Sequence, residues 1–248
     1  MISIEKLREY ANLKSFNLGQ AEIDYYQEVI LFILSREFGR ELLFKGGTAL
    51  TKCFGFDRFS EDLDFNLNLD TDVEKIISSG LKKFYIEFEV VKNIYKNSKN
   101  LIYRLKGPLY NGNKNSFCKV SLDFSLREKN IVDGIISRIG LHIDEIPSFD
   151  IIVMSKEEIF AEKIRAIYTR NKARDLYDLY FLIKGKVKAD KNLINTKLKL
   201  YSLKFQMKTF KQMINNKETI WDSEMENLTK TYPDFKELKK DIFNVKIK

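Results

Sequence analysis

Asp62 and Asp64 stand two positions apart in the run Arg58-Phe59-Ser60-Glu61-Asp62-Leu63-Asp64-Phe65, and that spacing admits few backbones. In an extended strand successive side chains point to opposite faces, so the two aspartates share one face while Leu63 and Phe65 bury the other. Carboxylates this close repel, and they rest most easily with cations between them or with a raised pKa. Upstream, Phe44-Lys45-Gly46-Gly47-Thr48 reads as a short buried strand that turns through two glycines into a helix. Such a turn allows close backbone approach, and the helix N-terminus offers unpaired N–H groups that suit a phosphate. A third carboxylate, Asp123, lies on the polar side of Phe117–Ser125, where Cys118, Val120, Leu122 and Phe124 alternate with Lys119, Ser121 and Asp123. If that strand lies beside the first, three carboxylates share a face next to a phosphate turn. This is the design for two-metal phosphoryl or nucleotidyl transfer.

The remaining pattern makes the chain α+β. Residues 20–39 carry Ile23, Tyr26, Ile30, Ile33 and Leu34 at helical spacing and end in Gly39. Leu42–Phe44 reads as a strand, Thr48–Phe54 as a helix, and Phe84–Val91 and Leu101–Leu105 as strands joined by an Asn/Lys-rich turn. After Ile151–Met154 the pattern is helical to the end, with Pro233 as the one firm breaker. Strands first and helices after imply a mixed sheet with flanking helices and a helical, basic C-terminal half. The expected organisation is a core over residues 1–150 with its N-terminal helix, completed by a helical region over 151–248.

Charge divides at the same place. Of the 43 Lys and Arg and 35 Asp and Glu in the 248 residues, positions 1–150 hold 21 and 22, and positions 151–248 hold 22 and 13. The net charge of +8 therefore comes entirely from the second part. Nine lysines and one acid, Asp190, fall between Lys184 and Lys211, interleaved with Tyr201, Phe205 and Phe210, a stretch that attracts polyanions. The single histidine, His142, lacks the context of a nucleophilic triad, reads as structural or exposed, and excludes two-histidine zinc chemistry. Cys53 and Cys118 cannot build a disulfide framework. No apolar run reaches the roughly 20 residues that span a bilayer, and the N-terminal residues lack signal-peptide order. The expectation is a soluble cytoplasmic protein without a membrane partner.

Four motifs in order carry a resemblance. Phe44–Leu50 (Phe-Lys-Gly-Gly-Thr-Ala-Leu), Arg58–Phe65, Glu157–Ala166 (Glu-Glu-Ile-Phe-Ala-Glu-Lys-Ile-Arg-Ala) and Ala173–Leu179 (Ala-Arg-Asp-Leu-Tyr-Asp-Leu) resemble the AbiEii/AbiGii toxins of type IV toxin–antitoxin systems. That group belongs to the nucleotidyltransferase superfamily, with the fold of DNA polymerase β. The resemblance implies that Gly46, Gly47 and Thr48 hold nucleotide phosphates, with Ser60 assisting, and that Asp62 and Asp64 bind Mg²⁺, or alternatively Mn²⁺. The superfamily pattern adds Asp123 as a third metal ligand. Lys163 would sit on the phosphates of the NTP substrate, and Asp178 would be the acid of the last motif, with Asp175 as the alternative. Relatives in this group extend the 3′ end of tRNA, which makes tRNA the leading acceptor and growth arrest the outcome. A protein or small-molecule hydroxyl is the alternative acceptor, and a non-catalytic nucleotide- or RNA-binding module the alternative without chemistry. A type IV toxin also implies an antitoxin encoded nearby that forms no stable complex with it.

Overall fold

The computed structural model describes residues 2–68, 71–126, 131–140 and 146–247, so His142 lies outside the described residues. The chain divides into two compact units. The first comprises residues 1–55, 59–130 and 134–153; the second comprises 56–58, 131–133 and 154–248.

The first unit is built on a seven-stranded mixed sheet: β1 (Leu42–Lys45), β2 (Asp62–Leu67), β3 (Phe88–Tyr95), β4 (Ser98–Leu105), β5 (Cys118–Ser125), β6 (Ile135–Ile139) and β7 (Phe149–Val153). Their order across the sheet is β3-β4-β5-β2-β1-β7-β6. The central strand β2 runs antiparallel to β1 and parallel to β5, so the two aspartate-bearing segments are neighbours. Alternation then sorts the side chains by face. Phe44, Phe65 and Phe124 are register partners and form a buried ladder, with ring centroids 5.3 and 5.2 Å apart. Burying each such side chain contributes about 1.5–3 kcal/mol.

Among the described residues four helices accompany the sheet: α1 (Ile4–Lys14), α2 (Leu18–Glu37), α3 (Gly46–Phe54) and α4 (Val73–Lys83). α2 starts at a capping box, in which the Asn17 side chain accepts from Gln20 N while the Gln20 side chain accepts from Asn17 N. It packs on α1, α4, β5 and β7. Residues Tyr25–Leu31 of α2 are all buried, so the single apolar stripe expected of this helix is replaced by burial around nearly its whole circumference. α4 was not legible from strand alternation; its stripe of Val73, Ile77 and Leu81 has helical spacing, and Asp72 caps it. Because Phe84 ends that helix, the strand expected over 84–91 begins only at Phe88.

The second unit is helical: α5 (Lys156–Thr169), α6 (Arg174–Lys184), α7 (Lys191–Lys199), α8 (Met207–Asn215), α9 (Trp221–Met225) and α10 (Phe235–Phe243). α5 starts at Ser155, whose hydroxyl accepts from Glu158 N, and it packs on α6, α7 and α8. Trp221 is buried and donates its indole N–H to Pro233 O at 3.2 Å.

Candidate active site

The polar face of the central strands assembles the aspartates. Lys45 on β1, Asp64 on β2, Asp123 on β5 and Asn100 on β4 are successive register partners, and so form a row across four strands. Asp62, two residues before Asp64, shares its face and is level with Ser121. Asn100 Nδ2 donates to Asp123 Oδ1 at 3.0 Å. Although Asp123 is exposed, its carboxyl is pushed above the usual range, first by partial loss of hydration on the sheet and then by the charge of Asp64, with Asn100 opposing.

Gly46 lies against this row. Its φ of +80° belongs to the left-handed region that favours glycine. A Cβ there would stand 2.2 Å from Asp64 Oδ2, so the absence of a side chain is what lets the carboxylate rest on the turn. Gly47 and Thr48 follow in the first turn of α3, whose N-cap residue Lys45 makes no side-chain capping hydrogen bond. The backbone N–H groups of that turn are suited to an anion. The Thr48 hydroxyl shares a 2.8 Å hydrogen bond with Ser60 Oγ and donates to Asp62 O. Thr48 and Ser60 thus brace the approach to β2 through their side chains.

The expected metal can be tested against these donors. Among the described residues no group of three or more His, Cys, Asp or Glu side chains is arranged to hold a metal ion. The chemistry of the row still fits a hard divalent ion. It offers oxygen donors, two like charges face each other in register, and the Gly46 turn is cut back to admit one of them.

Lys163, Asp175 and Asp178 belong to the second unit, and there they form a buried ion network. Asp178, fully buried, receives Arg58 Nε at 2.6 Å and Nη2 at 2.9 Å. Lys163 Nζ lies 2.5 Å from Asp178 Oδ2 and 3.2 Å from Asp175 Oδ1, and Arg170 closes on Asp175 at 2.7 and 2.8 Å. Burial pushes both carboxyls up, but the cations more than offset it, Arg58 and Lys163 at Asp178 and Lys163 and Arg170 at Asp175, so both lie below the usual range. Arg58, at the head of the second motif, is thereby committed to a buried carboxylate. Glu158 and Glu162, on the same helix as Lys163, hold the buried Lys197 at 2.7 and 3.1 Å.

The lysine-rich segment is less uniformly a surface than its composition implies. Lys197 is buried, Lys184 pairs with Asp241 at 3.3 Å, and Lys211 lies over the Phe243 ring at 4.9 Å. Phe205 and Phe210 are core residues, and only Tyr201, 38% exposed beneath Arg165, remains as a possible stacking platform.

Sequence reasoning missed Gln27, whose amide nitrogen donates to Ser60 O and Glu61 O, both at 2.8 Å. It also missed the buried cluster in which Lys52 of α3 meets Asp24 Oδ1 at 2.7 Å and Glu28 Oε1 at 3.2 Å. The only signal was a polar stripe at positions 24, 27 and 28 of α2, which on a surface helix reads as the solvent face.

The mixed sheet with its flanking helices has the fold of the polymerase β-type nucleotidyltransferases. Solved structures share this fold. One, from H. pylori and assigned as a nucleotidyltransferase, is 20% identical with a TM-score of 0.62, covering 89% of each chain. MenT4, a nucleotidyltransferase toxin from Mycobacterium tuberculosis H37Rv, is 18% identical with a TM-score of 0.60, covering 98% of this chain and 88% of its own. No curated protein matches the sequence. Residues 30–245 match the family described as nucleotidyl transferase AbiEii toxin, type IV TA system, and the chain belongs to that family. Among the described residues no helix is long and apolar enough to cross a membrane.

Proposed function

We propose that this toxin-family nucleotidyltransferase moves a nucleoside monophosphate from an NTP to an acceptor hydroxyl, with the 3′ end of tRNA as the leading acceptor. The observation that carries the reading is the register pairing of Asp64 with Asp123 beside a glycine turn that opens a helix. Asp62, Asp64 and Asp123 would hold Mg²⁺, or Mn²⁺ in its place. The bound metal supplies charge neutralisation at the triphosphate and a lowered pKa for the acceptor hydroxyl. The N–H groups of Gly47 and Thr48 bind phosphate oxygens. The Thr48 and Ser60 hydroxyls hold the segment that presents Asp62. Lys163 carries the positive charge that its motif assigns to the nucleotide phosphates, and Asp175 and Asp178 keep its ammonium oriented. The acceptor oxygen bonds to the α-phosphorus, the bond to the leaving pyrophosphate breaks, and the hydroxyl proton is lost.

The test is incubation with each α-³²P-labelled NTP, Mg²⁺ and total bacterial RNA, read on a denaturing gel. Label should migrate with tRNA and vanish in Asp62→Ala protein that melts as the wild type does. Full transfer by that variant would sink the assignment. The pairing of Lys184 and Lys197 and the burial of Phe205 and Phe210 favour one competing reading, a protein or small-molecule acceptor, which predicts label resistant to ribonuclease. Nucleotide binding with no transfer to any fraction would instead leave a binding module. The proposed antitoxin acts without a stable complex, and a tight complex recovered on co-expression would remove that part.

A further inference from the structure

Gln27 sits in the middle of α2 with no exposed surface, among Tyr26, Val29, Ile30 and Leu31. It precedes the residues that match the family. A leucine or methionine would fill the same volume without burying an amide, and half of this amide goes unused: among the described residues Oε1 has no hydrogen-bond partner. The other half is fully committed, because Nε2 meets two successive carbonyls, Ser60 O and Glu61 O. The next carbonyl, Asp62 O, is taken by the Thr48 hydroxyl. Three consecutive carbonyls, two ahead of β2 and one at its first residue, are therefore held by side chains. On the same helix Asp24, about one turn before Gln27, and Glu28, the residue after it, hold Lys52 near the end of α3. α2 thus braces both the helix that offers the phosphate turn and the segment that delivers Asp62.

We infer that Gln27 is a positioning residue for the transfer reaction, fixing the Ser60–Glu61 backbone and through it the placement of Asp62 relative to Asp64. The inference rests on the function proposed above. Simple core filling would make Gln27 replaceable by an apolar residue of equal size. Positioning makes the amide itself necessary, and partners that orient metal ligands typically matter by about 10–100-fold in metal affinity or activity.

Gln27→Met, which keeps length and volume but removes the donor, should weaken Mn²⁺ binding by about tenfold or more, measured on the full chain without nucleotide. It should lower kcat for transfer by a similar factor while leaving KM for the NTP within about twofold. Leu34→Ala, a core truncation on the same helix, controls for stability; it should lower the melting temperature while leaving Mn²⁺ affinity and kcat as in wild type. Gln27→Asn, which keeps an amide but withdraws it by one carbon, is the second variant should Gln27→Met fail to fold, and should show a smaller loss in the same direction. Wild-type Mn²⁺ affinity and kcat in the folded Gln27 variants, or equal losses in Leu34→Ala, would overturn the inference. If wild-type protein binds Mn²⁺ but transfers nothing, the reaction reading fails while the binding comparison still decides the role of Gln27.

Discussion

Asp123 of the first unit and Asp178 of the second are chemically the same group set in opposite circumstances. Asp123 stands exposed on a sheet face with Asp64 as its register partner, and its carboxyl is pushed up. Asp178 is fully buried, gripped by Arg58 and Lys163, and its carboxyl is held down. A buried carboxylate costs so much unpaired that its cations must come from the fold itself. A carboxylate facing another carboxylate at the surface leaves room for a cation from outside. The difference separates an acid whose charge is already matched by buried cations from one whose nearest register partner repels it.

The largest effect should come from breaking the second arrangement. Asp178→Ala leaves the Arg58 guanidinium buried without its bidentate partner, and should cost about 3–5 kcal/mol in urea denaturation. Asp123→Ala removes a repulsion and should cost less than about 1 kcal/mol in the absence of metal. Similar losses from the two substitutions would break the comparison.

Gly46→Ala sharpens it within the first unit. The left-handed φ costs about 1–2 kcal/mol for any L-residue. The new Cβ would also displace Asp64, and a shift of that size should lower transfer on the order of 100-fold. Gly55→Ala is the matched control: its φ is +71° with nothing within 4 Å of an added Cβ, so it should show the strain without the loss of transfer. Equal activity in the two variants would mean that Asp64 has no need of the turn.

The smallest effects are in pH, and the two units should respond in opposite directions. The lowered carboxyls of Asp175 and Asp178 contribute stability that is present above the unfolded value of about 3.9 and lost as pH falls through their folded values. The raised carboxyl of Asp123 favours the fold below about 3.9, and that contribution is lost as pH rises through its folded value. Without metal, Asp123→Asn should therefore melt slightly above wild type at neutral pH, with the gap closing below about pH 4. A constant gap across that range would show that the Asp123 carboxyl is not raised in the folded protein.

The aspartate row was largely legible because strand alternation is a local rule: Leu63 and Phe65 settle where Asp62 and Asp64 point, and the Cys118–Ser125 alternation settles Asp123. Gln27 was not legible because its partners lie more than thirty positions away in sequence, and a buried polar stripe looks like a solvated one until the helix is packed on several sides. The lysine-rich segment failed for the converse reason. Composition counts charges but not partners, and Lys197 finds Glu158 and Glu162 one helix away.

By itself the sequence determined the face each aspartate takes, the glycine turn ahead of α3 and the charge asymmetry between the two parts of the chain, since each follows from neighbours a few residues apart. Only the tertiary structure decided which acids are consumed by ion pairs, which lysines reach the surface, and that an amide from α2 holds the segment before β2. Those outcomes depend on contacts between distant segments, where burial makes an unpaired charge or an unmet carbonyl costly enough to select its partner.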